Sequence, residues 1–319
     1  MHTVKLKDEV RFMYDIIVVG GGPAGLTAAL YASRAGKKVL VLEGETPGGQ
    51  INYSPHVDNY PGLPGMDGEA FARTLTQQAL DQGVELVNEA AAAFRTQGDQ
   101  MEVKTESERY TSAAVILATG VTQRQLGLDN EDDLIGMGVS YCAVCDGAFY
   151  QDQPVAVVGG GDTALQDALF LSERCSKVTV IHRRDLFRGQ AKLLDQLQER
   201  PNVEFLLSHT VKSLQRDENG LTGLVLRDLK EEEDRELKVA GLFVAVGQEP
   251  RNKIFASFIS TDERGYLMAG EDCATSLSGV FAAGDCRTKE VRQLTTAVGD
   301  GAVAALAACE YVDDWRVRE

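Results

Sequence analysis

The chain has 319 residues, enough for about two domains that each bury a core. Its 44% apolar and 25% charged composition is that of an ordinary globular protein and excludes general disorder. The formal net charge of −16, from 48 acidic and 32 basic residues, opposes nonspecific binding to nucleic acid or anionic membrane, which needs a basic surface.

In chain order, residues 1–13 read as an extension with no assignable role and no apolar signal core, so a cytoplasmic location is expected. No apolar run approaches the roughly 20 residues of a membrane span. Tyr14–Val19 is a short β-branched run of the kind found in buried parallel strands. Gly20-Gly21-Gly22-Pro23-Ala24-Gly25 follows at once, then alanines and leucines at helical spacing over 26–34. A second strand over 38–42 ends at Glu43. This is a β-α-β unit. Its glycines admit a pyrophosphate to the backbone, its helix N-terminus favours negative charge, and Glu43 stands where an acid binds ribose hydroxyls. Gly48-Gly49-Gln50 and Asp58-Asn59-Tyr60-Pro61-Gly62 read from composition as ordinary loops. An amphipathic helix is expected over 71–82, with strands near 84–87, 101–104 and 113–118. The last of these ends in Thr119-Gly120, a glycine on the ligand edge of such a sheet.

After a polar connector (126–137) comes Tyr141-Cys142-Ala143-Val144-Cys145-Asp146-Gly147. Two cysteines at C-x-x-C spacing with a carboxylate directly after them suggest a redox-active dithiol. Asp146 is placed to supply and remove protons as the pair cycles. A second β-α-β unit then follows, with a strand over 154–158, Gly159-Gly160-Gly161-Asp162-Thr163-Ala164, a helix over 164–173 and a strand over 177–181. It repeats the first at a constant offset of 139 residues: Gly159 matches Gly20, Gly161 matches Gly22, Ala164 matches Gly25, and His182 matches Glu43. Arg183, Arg184 and Arg188 cluster where the first unit offers a carboxylate. A carboxylate suits a free 2′-hydroxyl, and arginines suit a 2′-phosphate.

A helix is expected over 187–198, stopped by Pro201, then strands with a charged hairpin between 203 and 238, and a strand over 242–246. Residues 248–252 break the pattern and mark a domain boundary. Short strands near 265–268 and 280–283, the latter ending in Gly284-Asp285, lead to an alanine-rich helix over 292–308 and a frayed acidic tail. The expected fold is α/β, with two Rossmann-like dinucleotide-binding domains.

These residues together resemble the low-molecular-weight, two-domain flavoprotein thioredoxin reductases, over roughly Tyr14 to Ala308. Both glycine fingerprints match, as do Gly48-Gly49-Gln50, Ala118-Thr119-Gly120, the Cys142–Asp146 stretch, His182-Arg183-Arg184-Asp185-Leu186-Phe187-Arg188, Gly284-Asp285 and Arg292-Gln293. The resemblance implies that the second domain is inserted in the first, with 1–124 and 251–319 forming the outer domain and 125–250 the inserted one. It implies FAD at Gly20, Gly22, Gly25, Glu43, Gly49, Gln50, Asn59, Thr119, Gly120, Gly284, Asp285, Arg292 and Gln293. It implies NADPH at Gly159, Gly161, Asp162, Thr163, Ala164, His182, Arg183, Arg184 and Arg188. It makes Cys145 the sulfur that meets the flavin and Cys142 the one that attacks a thioredoxin-like partner, and it implies a homodimer. Gln166 and Asp167 depart from the two consecutive glutamates of many relatives, which bears on the nicotinamide side.

A dithiol oxidase that passes electrons to oxygen is an alternative, but it needs no arginine-lined NADPH site. A flavin-binding redox sensor without turnover is another. No metal is expected, because the four histidines are scattered and a second C-x-x-C is lacking. Cys175, Cys273, Cys286 and Cys309 read as buried, inert thiols.

Overall fold

The computed structural model describes residues 12–54 and 57–318; most of the 1–13 extension therefore lies outside the described residues. Two compact units emerge, one from residues up to 122 together with 249–319, the other from 123–248.

The chain opens with β1 (Phe12–Val19), α1 (Pro23–Arg34) and β2 (Val39–Leu42), then α2 (Gly68–Asp81) and β3 (Glu85–Val87). The antiparallel run β4 (Ala93–Gln97), β5 (Gln100–Lys104) and β6 (Arg109–Leu117) completes this stretch. The strand order is β3-β2-β1-β6-β5-β4. Every residue of Ile16–Val19 in β1 and of Val39–Leu42 in β2 is buried, which explains these continuous apolar runs. Phe12 and Met13 correct the expected extension: they belong to β1 and pair with Tyr110 and Thr111 of β6. β4 also escaped the sequence reading, because three of its five residues are exposed and polar.

Short β7 (Val121–Gln123) leads into the second unit. There follow β8 (Val139–Ser140), α3 (Ala143–Asp146), β9 (Pro154–Gly159), α4 (Asp162–Ser172), β10 (Lys177–His182), α5 (Ala191–Gln198) and β11 (Val203–Leu207). The meander β12 (His209–Asp217), β13 (Gly220–Asp228) and β14 (Asp234–Lys238) forms its own three-stranded sheet. With β15 (Gly241–Ala245), the parallel sheet has the order β11-β10-β9-β15-β8. The helix expected from residue 187 starts only at Ala191. The backbone before it folds back onto the glycine turn, where the Arg188 and Gly189 N–H groups donate to the Gly160 carbonyl.

The chain then forms β16 (Gln248–Pro250), which pairs with β7, then β17 (Val280–Ala282) and α6 (Leu294–Arg318). β17 docks on the C-terminal half of β6. The strand expected near 265–268 is reduced to single bridges from Leu267 to Thr261 and Arg287. The expected frayed tail is also overturned, since the last nine described residues are helical. Val312 and Trp315 enter the same core as Ile16, Leu26 and Ile116, and Arg316 pairs with Asp15 at 2.6 Å. The mixture of acidic residues and apolar ones hid this face. Among the described residues, no helix is long and apolar enough to cross a membrane.

Each unit has its own apolar cores. In the first they lie on the two faces of its sheet. In the second, one core joins β9, β10 and β15 to the meander and another joins them to α4 and α5. The result is an α/β protein with two Rossmann-like nucleotide-binding folds, one inserted into the other.

Candidate active site

The two glycine turns are built alike. A Cβ on Gly20 would strike the Ala118 carbonyl oxygen, and one on Gly159 would strike that of Ala245. A Cβ on Gly21 would press on the Glu43 side chain, and one on Gly160 would overlap the His182 ring. The sequence offset of 139 residues is therefore also an equivalence of contacts. In each turn the third glycine is the N-cap of the helix, Gly22 for α1 and Gly161 for α4, and no side chain caps either. A Cβ at either position would meet open space, apart from a contact at 4.0 Å with the Gly48 carbonyl oxygen. Two uncapped helix N-termini beside open turns are suited to hold phosphate groups.

At the first turn, Glu43 accepts the Gly21 N–H at 2.6 Å and the Glu45 N–H at 2.8 Å, which holds its carboxylate at the end of β2. Gly48 donates to the Gly21 carbonyl at 2.8 Å, so the Gly48-Gly49-Gln50 segment lies against the turn. Gly49–Tyr53 is a short 3₁₀ helix rather than a plain loop. Gln50 Nε2 donates to the Val121 carbonyl at 3.0 Å, and Asn59 Nδ2 to Gln293 Oε1 at 3.2 Å. Thr119, next to Gly120, donates to Asn252 Oδ1 at 2.7 Å. Arg292 lies over the Tyr266 ring at 4.3 Å and donates to the Asp285 carbonyl. Asp285 is the clearest pointer to a ligand. Its Oδ1 is buried with no hydrogen-bond partner among the described residues, and burial holds its carboxyl above the ordinary range, against the opposing pull of Lys289 and Arg292. A buried acceptor left unmade is costly and calls for a donor from outside the chain. These residues fit FAD.

At the second turn, His182 is buried, stacked on Phe187 with centroids 5.2 Å apart, and its Nε2 lies 3.2 Å from the Leu186 carbonyl. Burial first, and then Arg188, Arg184 and Arg183, hold its imidazole below the ordinary value. His182 thus ties down the loop from beneath. Arg183, Arg184 and Arg188 stand exposed on that loop with no ion pair among the described residues. Asp162 accepts the Gln190 N–H at 2.7 Å, fixing the loop against the start of α4, while Thr163 is exposed and Ala164 is buried. Three unneutralised guanidinium groups beside an open helix N-terminus fit the 2′-phosphate and pyrophosphate of NADPH.

Cys142 and Cys145 form a disulfide with Cα atoms 5.3 Å apart. Cys142 is the N-cap of α3, and its sulfur accepts the Cys145 N–H at 3.2 Å, a contact that favours a thiolate there. Asp146 accepts from the Ser140 hydroxyl at 2.6 Å, and the same Ser140 oxygen accepts the Cys142 N–H at 3.1 Å. Burial pushes the Asp146 carboxyl up, with Ser140 pulling the other way. A carboxyl that keeps its proton above the ordinary range can give it to a leaving thiolate. Cys175, Cys273, Cys286 and Cys309 are all buried and free. Among the described residues no cluster could hold a metal ion.

Sequence reasoning passed over Ser140 and Asn252. Asn252 is buried and links Thr119 to the carbonyls of Gly265 and Cys286, at 2.9 Å each. Neither residue lies in a recognisable spacing, and only the fold brings them to the site.

Residues 14–301 match the family model described as pyridine nucleotide-disulphide oxidoreductase. The chain is 40% identical over 95% of its length to the thioredoxin reductase of Listeria innocua, and over 95% to that of Bacillus subtilis. These matches span 95% and 96% of the two relatives. The solved thioredoxin reductase of Streptococcus pyogenes superposes with a TM-score of 0.91 at 38% identity, covering 95% of this chain and 99% of the other. The chain therefore belongs to the pyridine nucleotide-disulphide oxidoreductase family, among its thioredoxin reductases.

Proposed function

We propose that this protein is an NADPH-dependent disulfide reductase whose electrons leave through Cys142 and Cys145 to a thioredoxin-like protein. The observation that carries this is the disulfide followed directly by the buried, Ser140-bonded Asp146, in the same unit as a turn flanked by three arginines that make no ion pair among the described residues. FAD, bound by the residues around Gly20 and Asp285, supplies two-electron chemistry between the nicotinamide and sulfur. Arg183, Arg184 and Arg188 bind the 2′-phosphate, and Gly159 to Ala164 receive the pyrophosphate. Cys145 takes electrons from within, and Cys142 attacks the partner disulfide. Asp146 holds the proton that the leaving thiolate needs. The dithiol and the proposed NADPH site lie in one unit and the proposed FAD site in the other. A cytoplasmic location and a homodimer complete the proposal, on the strength of the family resemblance.

The unpaired arginines disfavour the dithiol oxidase. The test is cofactor choice. Two charge-assisted contacts of about 1.5 kcal/mol each correspond to about a hundredfold. Replacing Arg183 and Arg184 by alanine is expected to raise the KM for NADPH by about that factor and leave NADH nearly unchanged. An equal loss for both cofactors contradicts the assignment.

A further inference from the structure

Asp300 is buried on α6 and gathers four hydrogen bonds. Oδ2 accepts from the Gly284 N–H at 2.9 Å, Arg287 Nε at 2.8 Å and Lys289 Nζ at 2.9 Å, while Oδ1 accepts from Arg287 Nη2 at 2.8 Å. Arg287 also donates to the Ala269 and Thr288 carbonyls, and Lys289 to that of Thr296. Neighbouring Gly301 leaves no room for a Cβ against the Ala24 carbonyl of α1, so backbone contact sets the depth of Asp300. Gly284, at φ +78°, starts the turn that carries Asp285, whose Oδ1 is buried and unpartnered. Ion clusters of this burial are poor net stabilisers, because desolvation offsets their attraction, yet losing one member leaves the others uncompensated. Such a cluster is better suited to fixing a geometry.

We propose that Asp300 is a positioning residue for the flavin site, holding the Gly284–Cys286 turn so that Asp285 offers its free oxygen to the cofactor. This rests on the reading that the first unit binds FAD. It places the decisive group outside both glycine fingerprints, on the far helix. The Arg287 and Lys289 cations lock the carboxylate in the one orientation that also receives the Gly284 N–H.

The experiment is a double-mutant cycle on FAD binding to apoprotein, followed by quenching of flavin fluorescence, with NADPH affinity measured alongside. Asp285→Asn and Asp300→Asn are each expected to weaken FAD about tenfold. The double variant is expected to be no weaker than the poorer single variant, with NADPH affinity unchanged throughout. Losses that multiply in the double variant overturn the proposal while leaving the assignment of FAD to the first unit standing. An Asp285→Asn variant that binds FAD as well as wild type also overturns it. Apoprotein that takes up no FAD at all instead defeats the underlying cofactor reading. If Asp300→Asn does not fold, Arg287→Gln keeps the Asp300–Gly284 bond but loosens the clamp. The same non-additivity with Asp285→Asn is then expected, and multiplied losses again count against it.

Discussion

At the scale of single residues, the two sulfurs are set apart by their surroundings. Among the described residues Cys142 accepts a backbone N–H and Cys145 shows no such contact, which supports the proposed role of Cys142 as the sulfur that attacks a partner. Cys145→Ser is expected to trap a stable mixed disulfide with thioredoxin through Cys142, and Cys142→Ser to trap none. Non-reducing gel electrophoresis distinguishes the two, and the reverse pattern contradicts the roles. Asp146 gives a pH signature. Because burial raises its carboxyl, the protonated acid persists to higher pH than an ordinary aspartic acid and is lost as pH rises through that raised value. Thioredoxin reduction should therefore decline on the alkaline side of that value. Asp146→Asn should lower the rate roughly a hundredfold and flatten this dependence. A variant with the wild-type pH profile removes Asp146 from proton transfer. These residues were legible because C-x-x-C followed by an acid is a compact local pattern. Ser140, which orients Asp146, was not, because its contact depends on β8 running directly into α3.

At the scale of elements, the strand-turn-helix-strand units were readable from their glycines and apolar runs, and the Gly20/Gly159 and Gly21/Gly160 contacts show why glycine stands at each place. The start of α5 and the end of α6 were misjudged. In the first, hydrogen bonds from the Arg188 loop to Gly160 compete with helix propagation. In the second, buried Val312 and Trp315 extend a helix whose acidic residues suggested a loose end. Asp167 on α4 carries its own prediction. Burial alone pushes its carboxyl up to about 7. The folded state thus holds this proton more tightly than the unfolded chain, and stability falls as pH rises from the ordinary carboxylate range to about 7. Asp167→Asn should stabilise the protein by roughly 2–4 kcal/mol at pH 8 and change little near pH 4. Denaturant unfolding at the two pH values checks this, and an equal effect at both would show that Asp167 does not titrate in this window.

At the scale of the whole molecule, one chain carries two nucleotide folds of common design and opposite chemistry at the second strand's end, a carboxylate in one and guanidinium groups in the other. The sequence offset announced that plan. The insertion of one fold in the other was expected only from the family resemblance, since residues that close the first unit, such as Asn252 and Asp300, act through three-dimensional contact. In this enzyme electrons flow from NADPH through flavin and sulfur to a disulfide partner. The most direct measurement is anaerobic spectroscopy of the FAD-loaded protein. Added NADPH should bleach the flavin absorbance, oxidised thioredoxin should restore it without oxygen, and protein carrying Cys142→Ser and Cys145→Ser together should bleach but not recover. Flavin that stays oxidised in NADPH, or that recovers only on admission of oxygen, rules out this electron flow.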